Sequence, residues 1–332
     1  MSLPVLGEFF FGGGERVPNA PLPVESPLER WQAAPASGLR VTWLGHSTLL
    51  LELNGLRILT DPVFGERVSP VSFAGPRRFH APPATIAQLP PLDFVLLSHD
   101  HYDHLCTRSV RELARLGVPF VTALGVGARL EDLGVLPELI SELDWHEQVT
   151  LVARNRPGAA DREVRFTATP SQHFSGRGLT DRNATLWASW VIDTGRQRVF
   201  FSGDTGLFPE LSDVGKSHGP FDLVLLEIGA FHPSWGDIHL GPENALRAHE
   251  LLGGGLLMPI HWGTFSLALH DWDEPGETLV RLAEAQGTKL FLPRLGAPTE
   301  PAHTPRDEPW WREVKGAAKR GAQLVGAQTL PS

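Results

Sequence analysis

One cysteine, Cys106, stands among 332 residues. No intramolecular disulfide is available, so nothing demands an oxidising compartment. The chain also lacks an apolar run of the length that spans a bilayer. Residues 1–11 are apolar in places, but they carry Glu8 and no basic leader, which argues against a secretory signal peptide. Positive charge is scarce. Lys and Arg number 29 against 38 Asp and Glu, for a formal net charge of -9. A nucleic-acid binder displays a basic face, so nucleic acid is not an expected partner despite the pair Arg77-Arg78. The expected location is cytoplasmic; the apolar stretch 1–11 is expected to pack on its own domain, with a peripheral membrane contact as the alternative.

Histidine, by contrast, is plentiful, with fourteen in the chain. It is the commonest metal ligand, and several of these histidines stand in ordered places. Residues 1–38 read as an extended N-terminal arm, rich in Gly, Pro, Ala and Ser from residue 12. Strands are expected at 39–44, 48–53 and 56–60, with Asn54-Gly55 as the hairpin turn between the last two. Residues 62–91 are a long proline-bearing loop of the kind that often carries function. The apolar run 93–98 reads as a buried strand. A helix then starts at Thr107 and stops at Gly117. Further strands are expected at 119–123, 164–169, 186–192, 198–202, 223–227 and 256–260. Helices are expected at 243–252, after Pro242, and at 277–286. The compact domain is expected to cover 39–296, with 297–332 a Pro-rich segment and tail.

Strand ends repeatedly deliver a His or an Asp. Ser98-His99-Asp100-His101-Tyr102-Asp103-His104 packs three histidines and two aspartates into one strand-to-helix loop. Three other expected strands end at or just before His173, Asp204 and His261, the last two beside glycines that allow close backbone approach. A lone loop histidine is usually structural, but four such segments together point to metal binding. Imidazole and carboxylate suit zinc, with iron or manganese as alternatives. Asp100 and Tyr102 alternate with the others and are expected to face away in support. His46 reads as a hydrogen-bonded turn histidine or as support for a ligand, and Asp61 as support.

These motifs resemble the metallo-β-lactamase superfamily, in composition and in order along the chain. Within it, the chain is similar to the N-acylphosphatidylethanolamine-hydrolysing phospholipases D and their bacterial relatives. The resemblance covers about residues 39–295. It is carried by VTWLGHSTLLLE (41–52), LTDPVF (59–64), SHDHYDHL (98–105), FFSGDTG (200–206) and, more specifically, by GPRRF (75–79), TPSQH (169–173) and IHWGTF (260–265). It implies an α/β fold, a single-domain four-layer αββα sandwich with the site at one edge. It implies two divalent metal ions, zinc the favoured identity. His99, His101 and His173 would hold one, Asp103, His104 and His261 the other, and Asp204 would bridge them. It also implies a catalytic part for His239, which otherwise reads as a surface histidine before a helix. The short N-terminal region and residues 232–238 (HPSWGDI) depart from the family pattern.

A pair of metals roughly 3.5–4 Å apart can clamp the attacking and leaving oxygens of a displacement. Zinc lowers the pKa of bound water from about 15.7 to about 7, so no Ser or Cys nucleophile is required. The expected activity is that of a zinc-dependent phosphoric diester hydrolase. A hydroxide on the dinuclear centre would attack a lipid or small-molecule phosphoester, N-acylphosphatidylethanolamine being the substrate the resemblance implies. Asp103 can both bind metal and hold the attacking water. Trp187, Trp190, Trp235 and Trp262 are core residues or the lining of an apolar groove, and Arg77 and Arg78 pair with a phosphate or belong to a solvated loop. The alternatives are a lactonase or cyclic-phosphate esterase on the same scaffold and, from another class, a non-catalytic metal-binding protein.

Overall fold

A computed structural model describes residues 14–153, 162–303 and 308–315. The apolar stretch 1–11 and most of the expected tail lie outside the described residues. Among the described residues, twelve strands build two six-stranded mixed sheets. The first holds β1 (Leu39–Gly45), β2 (Thr48–Leu53), β3 (Leu56–Thr60), β4 (Phe94–Leu96), β5 (Phe120–Ala123) and β6 (Ile140–Leu143), in that order. The second holds β7 (Gln148–Ala153), β8 (Arg162–Thr169), β9 (Ser189–Asp193), β10 (Arg198–Phe201), β11 (Leu223–Glu227) and β12 (Leu256–Ile260), also in chain order. Each sheet begins antiparallel and ends parallel.

Antiparallel neighbours can be joined by tight turns. Asn54 and Gly55 take φ of 49° and 83°, as a two-residue turn of type I′ requires, and Leu53 pairs with Leu56 across it. Parallel neighbours need crossovers, and helices supply most of them. Helix α1 (Thr107–Arg115) joins β4 to β5, and α2 (Gly127–Glu131) lies between β5 and β6. Helix α3 (Leu211–His218) joins β10 to β11, and α4 (Gly241–Leu251) joins β11 to β12. Helix α5 (Glu274–Gln286) follows β12. Every residue of β1, β2, β9 and β11 is buried, which explains why apolar residues dominate them, and the buried Arg40 of β1 and Glu52 of β2 pair with each other. Phe94 of β4 meets Phe166 of β8 edge-on at 5.6 Å, tying one sheet to the other. The result is an α/β sandwich in one domain. No helix among the described residues is long and apolar enough to cross a membrane.

Four elements carried too little pattern to be expected: β6, β7, α2 and α3. β6 has four residues, and β7 ends its sheet with exposed positions alternating along it. α2 is five residues long, and α3 holds Gly215 inside eight. Two expected helices start earlier than 243 and 277, because Pro242 and Pro275 occupy their first turns. Residues 186–188 are not a strand. Leu186 N–H donates to Leu124 O and Ala188 N–H to Ser98 O, bringing this segment against the histidine turn.

The compact body extends beyond both expected boundaries, 38 and 297. Leu22 and Trp31 of the arm are buried, and Val24 bridges to Leu295. After residue 297, Thr299 bridges to Val41, and Trp310, Trp311 and Val314 enter the core. Trp43, Trp262, Trp310 and Trp311 form one cluster, with centroids 4.8 to 6.3 Å apart for its contacting pairs. The Trp311 indole N–H donates to Glu277 at 2.8 Å. Two tryptophans in a Pro-rich context gave no periodic signal, so their burial was invisible without the partners. Trp311→Ala is expected to destabilise the fold by about 3–5 kcal/mol, read as a lowered urea midpoint. An unchanged midpoint would mean that the 308–315 segment is not part of the core.

Candidate metal centre

The turn after β4 is tight. The N–H groups of His104 and Leu105 both donate to His101 O, at 3.0 and 2.8 Å. The turn thereby splits its side chains between two groups. One comprises His99, His101, His173 and Asp204, and the other His46, Asp103, His104 and His261. Within each group the donor atoms lie within 4.8 Å of one another. His99 Nε2 is 2.8 Å from His101 Nδ1, which is 3.2 Å from His173 Nε2. Asp103 Oδ2 stands 3.1, 3.3 and 3.5 Å from the Nε2 atoms of His46, His261 and His104. Asp204 lies between the groups. Its Oδ2 is 3.1 Å from His104 Nε2 and 3.7 and 3.8 Å from His173 and His99, and its Oδ1 is 3.2 Å from His261 Nε2. All seven residues expected as ligands thus meet at one edge of the sandwich.

Different strand ends deliver them. β8 leads to His173, β10 to Asp204 and β12 directly to His261. Gly203 has a φ of +54°, and a Cβ there would come 2.5 Å from Ser98 Cβ. Only glycine lets the end of β10 pass this close to the histidine turn. A second set of contacts holds the rings. Asp61 Oδ2 lies 2.6 Å from His104 Nδ1, and the same carboxylate accepts from Ser98 N–H and Oγ–H at 2.8 and 2.7 Å. Ser98 Oγ is 2.9 Å from His99 Nδ1, and His173 Nδ1 is 2.9 Å from Ile238 O. These contacts leave the Nε2 atoms of His99, His104 and His173 facing the centre, the usual arrangement of supported metal ligands.

The polar atoms themselves test whether ions fit. His104 Nε2, His261 Nε2 and Asp204 Oδ1 are buried, and although the first two lie 3.1 and 3.2 Å from Asp204 oxygens, none of the three makes a hydrogen bond of proper geometry among the described residues. Buried polar atoms are normally satisfied, and a cation would satisfy these. The charges agree. Burial opposes protonation of His261, but Asp204 and Asp103 outweigh it and push its pKa up to about 10. Burial likewise opposes a charge on His104, and Asp204, Asp103 and Asp61 hold its pKa well above the ordinary value. Burial would raise Asp204 and Asp103, but the facing imidazoles hold both well below the carboxylate range. The carboxylates therefore require positive charge beside them, from protons or from metal.

Sequence reasoning missed Glu227, the last residue of β11. Wholly buried, it places Oε2 2.6 Å from His239 Nδ1 and accepts from Thr205 N–H at 2.7 Å. A carboxylate closing the apolar run LVLLE was its signal. Burial raises the Glu227 pKa, and Glu227 in turn outweighs burial to raise that of His239. The His239 ring lies 5.1 Å from His173 and 5.4 Å from His261. His46, expected as a turn histidine or as support, is itself among the converging donors, and burial lowers its pKa to about 3. Arg177 was also missed. It donates to Asp100 O at 2.5 Å, Leu105 O at 2.9 Å and Thr107 Oγ1 at 3.2 Å, and stacks 3.8 Å over Tyr102. Asp100 faces away from the donors and accepts from Gly176 N–H at 2.8 Å.

Other candidates fall outside the site. Trp190 and Trp262 are core residues, and Trp187 donates to Ser171 O. Arg78 is buried and donates to Val63, Leu44 and His80 carbonyls, so it is not available to a phosphate. Arg77 is exposed and paired with Glu66 at 2.6 Å. Gly215-Lys216-Ser217-His218-Gly219 spells a nucleophile-elbow pattern that sequence reasoning overlooked. It lies at the exposed end of α3 rather than on a strand-to-helix turn, so it is no elbow.

The chain belongs to the metallo-β-lactamase superfamily: the family model of the beta-lactamase superfamily domain matches residues 56–262. An uncharacterised protein of Mycobacterium tuberculosis is 45% identical over 299 residues, covering 89% of this chain and 77% of that one. The N-acyl-phosphatidylethanolamine-hydrolyzing phospholipase D 1 of Caenorhabditis elegans is 36% identical over 259 residues, covering 75% and 71%. Among solved structures, isothiocyanate hydrolase from Delia radicum gut bacteria is similar with a TM-score of 0.59 at 20% identity, covering 79% of this chain and 98% of that one. That likeness speaks to fold alone. The chain is thus a metal-dependent hydrolase of the metallo-β-lactamase fold, with His and Asp clusters able to bind metal.

The raised pKa values of His104 and His261 favour protonated rings at neutral pH where no metal competes. Adding zinc to chelator-stripped protein is expected to release protons near pH 7, and affinity is expected to fall as pH falls. Titration calorimetry in buffers of different ionisation enthalpy measures this. Heats independent of buffer would contradict it.

Proposed function

We propose that the protein is a phosphoric diester hydrolase of phospholipase D type, acting on N-acylphosphatidylethanolamine or a related phospholipid. The reading is carried by one observation: Asp204 stands between two groups of converging imidazoles, the arrangement a pair of divalent ions would need. The activity named for the similar Caenorhabditis elegans protein supports the substrate class. His99, His101 and His173 would hold one ion, Asp103, His104 and His261 the other, with Asp204 shared and zinc the favoured identity. Ions held there would supply Lewis acidity and a water acidified toward neutral pH.

The chain's own side chains supply the rest. Asp103 stands within reach of three imidazoles, and its carboxylate would also orient the attacking water by accepting its proton in a hydrogen bond. Glu227 fixes His239 through Nδ1 and favours its charged form. His239 Nε2–H would then donate to a phosphoryl oxygen, where a positive ring stabilises developing negative charge. His239 lines an open cavity of about 470 Å3. Gly206 keeps the loop before His239 close, since a Cβ there would sit 1.7 Å from Asp237 O. The cavity wall mixes Phe231, Leu240 and Pro242 with Glu243, Asn244 and Arg281. That polar share favours a second reading, hydrolysis of a smaller phosphoester or lactone.

Purified protein is expected to convert N-acylphosphatidylethanolamine to phosphatidic acid and N-acylethanolamine, to stop with chelator and to recover with zinc. His239→Gln is expected to lower kcat about 10²- to 10⁴-fold with metal content unchanged. Turnover of small esters alone would favour the second reading, and bound metal without any turnover would make the chain a non-catalytic metal binder.

A further inference from the structure

An open cavity of about 540 Å3 lies between residues 65–72 and α1, beside the histidine turn, and Tyr102 and Cys106 form part of its lining. Its walls carry Arg67, Arg108, Arg111 and Arg115. The last three are exposed and stand at i, i+3 and i+7 of α1, on one stripe of the helix. Two acidic residues share the cavity, and both are engaged. Glu66 pairs with Arg77 at 2.6 Å, and Glu112 with Arg108 at 3.1 Å. With Arg77, five arginines face two glutamates, in a chain whose formal net charge is -9.

Apolar side chains project around this basic patch. Phe73 is 82% exposed and Val71 38% exposed, both on the loop that walls the cavity, and Leu116 is 60% exposed at the end of α1. Leu179 is fully exposed on the neighbouring loop. Arg177 ties that loop to the same place through Thr107 and Tyr102, both of which line the cavity. Exposed apolar groups collected beside a charged patch mark an interaction site.

We propose that this face docks on an anionic phospholipid bilayer, the arginines meeting lipid phosphates and Phe73, Val71 and Leu179 entering the acyl boundary. The charge pattern selects this occupant. A bilayer requires positive charge and protruding apolar side chains rather than a complementary shape. A second copy meeting the first through this face would oppose arginine to arginine. The remaining acidic surface would be repelled by the same bilayer, so the patch also sets which way the protein faces. The inference deepens the lipid reading, since docking here brings the metal centre, whose turn borders the cavity, to the membrane.

The test uses sedimentation with vesicles of equimolar phosphatidylcholine and phosphatidylglycerol, against vesicles of phosphatidylcholine alone. The protein is expected to bind the mixed vesicles, to bind pure phosphatidylcholine far less, and to be released by salt. The triple variant R108E/R111E/R115E is expected to lose roughly a hundredfold or more in partitioning, and F73S roughly tenfold. Urea midpoints equal to that of the unaltered chain would show that both variants fold. Equal vesicle binding by folded variants, or no binding by the unaltered protein, would overturn the proposal. Self-association through the patch, abolished by the triple variant, would instead assign the face to a second copy. Arginine-dependent vesicle binding without lipid turnover would leave docking standing while the substrate reading failed.

Discussion

Two buried carboxylates facing a ring of imidazoles make the demand that the rest of this structure meets. Asp204 is almost wholly buried and Asp103 mostly so, with six histidines between and around them. Removing such charges from water costs several kcal/mol each unless opposite charge is brought equally close. The donors come from segments far apart in the chain, so no local structure could hold them. Only two rigid sheets, each ending several strands at the same edge, keep seven side chains within reach of one another. Asp61 and Glu227 add carboxylates behind the rings, which raises the demand for positive charge at the front.

The backbone shows what this convergence costs. His46, Asp61, Ala230 and His261 all have positive φ, between 32° and 62°, though none is glycine. Such conformations cost of order 1–3 kcal/mol each and persist where the surroundings over-determine them. Here the surroundings do. β1, which precedes His46, is buried throughout, and β12, which precedes His261, is buried after its first residue. His46 O accepts from His261 N–H at 3.1 Å, so two of these residues brace each other across the sheets. The tryptophan cluster under Trp262, the neighbour of His261, adds support from residues 310 and 311, far along the chain.

How much could be read beforehand follows from range. The strands nearest the site were legible because apolar residues dominate buried strands, and the ligands were legible because each stands at or a few residues past such a segment. His46 and Glu227 follow the same rule but were harder to read. His46 sits in a hairpin, where a histidine has an ordinary explanation, and Glu227 closes a strand in a chain with many acidic residues. Arg177 had no signal at all, since its role lies in contacts with Asp100, Leu105 and Thr107, some seventy residues away in sequence. The same reason hid the docking of Trp310 and Trp311. Contacts between distant irregular segments leave no period in the sequence, whereas strand burial does.

Metal donors and substrate walls are therefore encoded differently. Donors answer to a few short distances and to charge, so a handful of residue types at strand ends suffices. The wall of the cavity beside His239 draws on the loop 231–240 together with the start of α4 and one side of α5, which answer only to what must fit between them. An isothiocyanate hydrolase shares the fold at 20% identity, and a shared fold does not by itself fix the chemistry. The Glu227–His239 pair joins the two levels. Glu227 belongs to a strand and is as fixed as any ligand, while His239 belongs to a loop and lines the cavity. Through one hydrogen bond of 2.6 Å, the rigid sheet fixes the position and favours the charged form of a loop residue that lines the cavity. The other residues of that loop can then differ without displacing the imidazole, provided its Nδ1 keeps Glu227.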